Sequence, residues 1–220
     1  ADYRNTEGSI AAHTLTQTSG VLTGTSDVLV DGLTTWSGGT IRGVSGMETI
    51  TVGSGMVLDG GLQAWKDAGF PVSTEPVEPT GRTLTVRLRP ELIADRDEVR
   101  ASIGNESVQL VDAMSEVHYR GDWALYDRPG HITGAVNVPS TSLMTETGHF
   151  RAQDELKALF STDPGARTIT YCGGGIAAAA DAFVLTRLGY EDVAVYDHSL
   201  QEWTADPTNP METATEFDEF

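Results

Sequence analysis

Cysteine and lysine are the scarcest residues of this 220-residue sequence: one Cys, at 172, and two Lys, at 66 and 157. One cysteine excludes an internal disulfide and any CxxC metal site. It also makes a reducing, cytoplasmic compartment the expectation. No apolar run approaches the roughly 20 residues of a membrane span. No charged-then-apolar leader opens the sequence, so neither a membrane anchor nor a signal peptide is expected. Basic charge is also short, with 14 Lys and Arg against 32 Asp and Glu, a formal net charge of −18. Such a field repels phosphate, which argues against nucleic acid as a partner. Acid excess with few lysines fits adaptation to high salt and equally fits an ordinary acidic protein from a GC-rich genome.

What is present is a soluble composition, 39% hydrophobic, long enough for one domain and a smaller companion. Residues 1–57 are rich in Gly, Thr and Ser, with short runs such as VLVDGL and ETITV broken by glycine. These read as short strands, similar to rungs of a parallel β-helix, and a few rungs bury too little to stand alone. Residues 58–81 then hold a strand end, a short helix at LQAWKDAG and a Pro/Glu/Thr linker over 71–81. From 82 to 210 strands alternate with helices. TLTVRL, VQLVDA, RTITYC and DVAVYD read as strands; ADRDEVRASIG, SEVHYRG, FRAQDELKALFST and IAAAADAFVLTRLG read as helices. That alternation predicts an α/β fold, a central parallel sheet with helices on both faces, preceded by the short β-rich segment. Residues 211–220, ending TATEFDEF, are expected to be an acidic tail.

Cys172 lies where a buried strand, RTITYC, turns through three glycines into a helix. The carboxyl end of a parallel strand is where such folds place ligands. Glycines let successive N–H groups turn inward as an anion nest, and the helix beginning near Ile176 adds its positive end. A thiol there is a candidate nucleophile held as thiolate; a core cysteine does not need the glycines. A phosphatase-type C-x5-R loop is excluded, because Ala178 stands where the arginine would be.

The run YCGGGIAAAADAFVLTRLGYEDVAVYDHSLQEW, with VQLVDAMSEVHY and GHITGAVNVP before it, resembles the rhodanese superfamily of sulfurtransferases. The family loop, roughly C-x-x-G-[VI]-[TSA]-A, is met by Cys172, Gly175, Ile176, Ala177 and Ala178. The likeness covers about residues 83–210, and MVLDGGLQAWKDAGFPVSTE is similar to the end of a first domain in tandem members, so 58–81 reads as a remnant of one. The resemblance implies a catalytic Cys172 carrying sulfur as a persulfide, held by the loop of Gly173, Gly174, Gly175, Ile176 and Ala177. It implies a small-molecule sulfur donor such as thiosulfate or 3-mercaptopyruvate, a thiol or cyanide acceptor, no cofactor and no metal.

Some positions depart from the family's usual pattern. Gly173 and Gly174 stand where thiosulfate users often carry Arg and Lys, and Met114 stands where an arginine is common. Arg120 and Arg128 are therefore the candidates for an anionic donor, or else solvent-facing loop arginines. Asp112 is a candidate to orient the site through backbone N–H groups, or a plain strand-end turn acid. His131 and Trp203 read as structural, and His198, where glycine is usual, as an exposed histidine without a task. A non-catalytic sulfur-carrier or interaction module is the alternative reading.

Overall fold

The computed structural model describes residues 59–69, 72–76 and 88–213, together with the backbone of nine short strands between residues 3 and 58. The strand expected at TLTVRL falls outside these residues except for Leu88, and so do most of the linker and residues 214–220. The chain divides into two compact units, Ala1–Gly81 with Thr145–Phe150, and Arg82–Met144 with Arg151–Phe220.

The first unit holds β1 (Tyr3–Asn5), β2 (Ile10–Ala12), β3 (Leu15–Gln17), β4 (Val21–Gly24), β5 (Val28–Val30), β6 (Thr34–Trp36), β7 (Thr40–Gly43), β8 (Ile50–Val52) and β9 (Met56–Leu58). They form three parallel sheets, β1-β4-β7, β2-β5-β8 and β3-β6-β9, each strand pairing with the one three places on. Tyr3 pairs with Leu22 and Leu22 with Ile41, so one backbone position recurs from strand to strand, as in a solenoid. The helix α1 (Gly61–Asp67) follows.

The second unit is built on a four-stranded parallel sheet. Its strands are β10 (Val108–Asp112), β12 (Val136–Asn137), β13 (Arg167–Tyr171) and β14 (Val193–Val195), in the order β12-β10-β13-β14. β-branched residues make up most of β13, and every residue of it after Arg167 is buried, the mark of a strand covered on both faces. Register fixes which residues share a face. Leu110, Ile169 and Ala194 lie side by side. They share a core with Val99 of α2 (Arg96–Ser102) and Trp203 of α6 (Ser199–Trp203). One residue along, Val111, Thr170 and Val195 form the next row. Thr170 Oγ1 there donates to the Ala178 carbonyl of α5 (Ile176–Arg187) at 3.0 Å. Asp95 caps α2 by accepting the Glu98 N–H at 2.8 Å, as an N-cap acid does. Two further helices, α3 (Glu116–Arg120) and α4 (Gln153–Leu159), complete the layers.

Of the expected acidic tail, residues 211–213 are described and 214–220 lie outside the described residues. Met211–Glu212 form β15, antiparallel to β11 (His131–Ile132). The His131–Ile132 backbone offers a free edge, and the chain returns to pair with it. His131 is structural, as expected: buried, stacked on Tyr119 with ring centroids 3.7 Å apart, its Nδ1 2.8 Å from the Tyr119 carbonyl. Trp203 is fully buried, edge-on to Tyr196, and donates Nε1–H to the Pro210 carbonyl.

Candidate active site

Numbered by chain order within the sheet, the strands run 2-1-3-4, so the direction of winding reverses between β10 and β13. Ligands of open α/β sheets bind at such a reversal, outside the carboxyl ends of the strands. Asp112 ends β10 and Cys172 follows β13, one on each side of that crevice.

The loop after Cys172 is held from behind by Ser199. Its Oγ accepts N–H groups from Cys172 (3.1 Å) and Gly175 (3.2 Å) and donates to the Tyr196 carbonyl at 2.7 Å. Ser199 is fully buried and has a positive φ of 51°, which no other non-glycine among the described residues shares. Strain of this kind, about 1–3 kcal/mol, persists only where surrounding contacts enforce it. Two further bonds close the cradle, from Leu200 N–H to the Cys172 carbonyl and Gln201 N–H to the Gly173 carbonyl, both 3.0 Å. Gly175 is required by geometry: its φ is 82°, and a Cβ there would collide with Asp197 Oδ1. This corrects one expectation, since the Gly175 N–H is spent on Ser199 and shapes the loop without facing an anion. The N–H groups of Gly173, Gly174, Ile176 and Ala177 have no acceptor among the described residues. They lie where the positive end of the twelve-residue α5 begins.

Cys172 itself is 3% exposed and packs with Ala113 and Ala178, residues small enough to leave room around a sulfur. Tyr126, from the loop preceding Gly130, covers the next residue: a Cβ on Gly173 would collide with the Tyr126 hydroxyl. Burial raises the Tyr126 phenol pKa, and the neighbouring Cys172 charge raises it further. Tyr126 and Ser199 carry no signal in the sequence pattern. A left-handed serine and a loop tyrosine folded over a glycine are products of tertiary contact.

Asp112 lies at the end of β10. It is fully buried, its Oδ1 accepts the Met114 N–H at 2.8 Å, and the Val138 N–H and Asn137 Nδ2 both reach its carbonyl. Burial raises its pKa to about 7. The Met114 N–H and, less strongly, the Tyr171 hydroxyl oppose the rise, while Oδ2 has no partner at full hydrogen-bonding geometry. Asp181 of α5 was not anticipated. It is fully buried with neither oxygen bonded, and burial, then the Asp112 charge, raise its pKa to about 8.

The two arginines part company. Arg120 is one-third exposed and pairs with Asp122 at 3.5 Å. Arg128 is not available to a donor. Its guanidinium donates to the carbonyls of Trp203, Thr204, Asp206, Pro207 and Asn209 at 2.9–3.4 Å. Unpaired carbonyls at the end of α6 and in the turn beyond it attract a cation there. His198 is exposed. Among the described residues no three His, Cys, Asp or Glu side chains cluster to hold a metal, and no helix is long and apolar enough to cross a membrane.

A doubly wound α/β unit with a cysteine at the switch point, beside amides with no acceptor among the described residues, has the arrangement of a ligand site in an open α/β sheet. The chain belongs to the rhodanese family: the Rhodanese-like domain model matches residues 95–206. It is similar to SseB, a candidate thiosulfate sulfurtransferase of Mycobacterium tuberculosis, with 38% identity over 165 residues, 72% of this chain and 57% of SseB. To the thiosulfate sulfurtransferase of Rattus norvegicus it is 34% identical over 154 residues, 67% of this chain and 52% of that one. Among solved structures it resembles EanB, including a variant with a cysteine persulfide in a tetrahedral intermediate state with ergothioneine. That match has a TM-score of 0.66 and 28% identity, covering 77% of this chain and 43% of EanB. The chain spans about half the length of the curated relatives it matches.

Proposed function

We propose that this chain is a sulfurtransferase that carries sulfane sulfur on Cys172. The observation that carries the reading is the sulfur's position, directly after β13 at the switch point, beside a loop with four unclaimed N–H groups. Cys172 as thiolate attacks the outer sulfur of a donor. A new S–S bond forms, and the bond from that sulfur to the rest of the donor breaks, its electron pair leaving with the remainder. An acceptor thiolate or cyanide then attacks the outer sulfur and restores the Cys172 thiolate. This splits one transfer into two easier ones. The amides of Gly173, Gly174, Ile176 and Ala177 hold the developing charge on sulfur, as an oxyanion hole does for oxygen.

Thiosulfate and 3-mercaptopyruvate are the donors to try, since relatives carry the first in their names and the small, neutral Gly173–Gly174 pair is nearer the second type. With Arg128 committed to backbone carbonyls, Arg120 is the remaining candidate to draw in an anionic donor. Among the described residues its guanidinium pairs with Asp122 at 3.5 Å, and a third of its surface is exposed. Mass spectrometry after incubation with each donor tests the reading: Cys172 gains the mass of one sulfur, and Cys172→Ser does not. Absence of the adduct with both donors would refute it in favour of a non-catalytic module.

A further inference from the structure

The geometry points to Tyr126 as the positioning residue of the transferred sulfur: its hydroxyl donates a hydrogen bond to the outer, anionic sulfur bound at Cys172, in place of a cationic loop side chain. This rests on the sulfur-carrier reading of Cys172. Three observations carry it. The Tyr126 hydroxyl occupies the space a Cβ of Gly173 would fill, so any side chain at 173 and this tyrosine exclude each other. The phenol is partly exposed and makes no hydrogen bond to another described residue, so its proton is available to a bound group. The outer sulfur of a persulfide stands about 2 Å beyond Sγ, on the residue next to the glycine that Tyr126 covers, and after burial the Cys172 charge is a cause of the raised Tyr126 pKa.

The loop CGGGIAA brings no cation, and Arg128 is spent elsewhere. A neutral hydroxyl is then a side-chain donor that the structure places over the loop itself. Because the phenol's pKa is raised above its ordinary value, it stays protonated and donates throughout neutral pH. A charge-assisted hydrogen bond of this type is among the stronger ones. Its geometry also sets selectivity: the ring narrows the space above Gly173, favouring a compact donor over a branched one.

Tyr126→Phe tests this with the ring kept and the proton donor removed. The rate constants for loading and unloading sulfur should fall about 10- to 100-fold, while the donor KM and the melting temperature stay close to those of the parent. Gly173→Ala should reproduce the loss by displacing the hydroxyl, and the double variant should be no slower than either single one, since both remove the same contact. A second readout does not need turnover. With the tyrosine rings isotopically labelled, Tyr126 should titrate at lower pH in Cys172→Ser than in the parent, because the charge that raises it is gone. Parent-like kinetics for Tyr126→Phe, or a Tyr126 titration indifferent to Cys172→Ser, would overturn the inference. If the parent forms no persulfide, the functional reading fails by itself, and the titration still decides whether the hydroxyl faces the sulfur.

Discussion

Replacing Asp181 by asparagine should stabilise the second unit at neutral pH and do nothing at pH 4. The acid is fully buried and neither carboxylate oxygen has a partner among the described residues, so its charged form is strongly disfavoured in the folded state. Its pKa rises from 3.8 to about 8. The unfolded chain ionises near 3.8 and the folded one only near 8, so between these the unfolded state binds fewer protons. Stability is therefore greatest below pH 3.8 and falls as pH climbs toward 8. At pH 7 the deficit is roughly three pKa units at 1.36 kcal/mol each, about 4 kcal/mol. Asparagine keeps the shape without a titrating group and removes that loss. At about 2–4 °C per kcal/mol for a chain of this size, the melting temperature should rise on the order of 10 °C at pH 7 and not at all near pH 4. Differential scanning calorimetry across pH 4–8 reads both. A gain of equal size at every pH, or destabilisation at pH 7, would refute the reasoning, because either would show that Asp181 is not held neutral by burial.

Other substitutions probe the loop and its supports. Ser199→Ala should cost about 2–3 kcal/mol in chemical denaturation, because the buried Cys172 and Gly175 N–H groups lose their shared acceptor, and persulfide formation on Cys172 should slow with it. Gly175→Ala should lose persulfide formation, since the left-handed φ of 82° and the Asp197 carboxylate both oppose a Cβ; peptide mass mapping of donor-treated protein reads it directly. Arg128→Ala should lower the unfolding midpoint by an amount equivalent to about 2–4 kcal/mol as several carbonyls lose their donor, while the donor KM stays unchanged. A raised KM would return Arg128 to the substrate site.

The parts of this molecule that follow local rules were legible. The alternation of apolar strands with helices, the cysteine at a strand end and the glycines after it all reflect short-range geometry, and they locate the site. Arg128 was misjudged because its partners lie 75–81 residues along the chain, a distance over which an arginine in a loop looks free. Asp181 was hidden for a different reason. Within IAAAADAF it reads as one polar residue on an alanine-rich helix, and nothing local tells whether that face meets water or the sheet. Met211 and Glu212 show the same limit at the end of the fold, where an acidic stretch looks like tail until an unpaired edge recruits its first residues.

The Ser199 clasp has a consequence for the order in which the protein is made. Cys172 leaves the ribosome twenty-seven residues ahead of the hydroxyl that fixes its loop, and ahead of the Leu200 and Gln201 amides that close it. Until those residues emerge and dock, the thiol exists without its cradle of amides. On the proposed function, sulfur chemistry would be withheld from a growing or truncated chain, and the appearance of persulfide on Cys172 would report that residues 199–201 have docked.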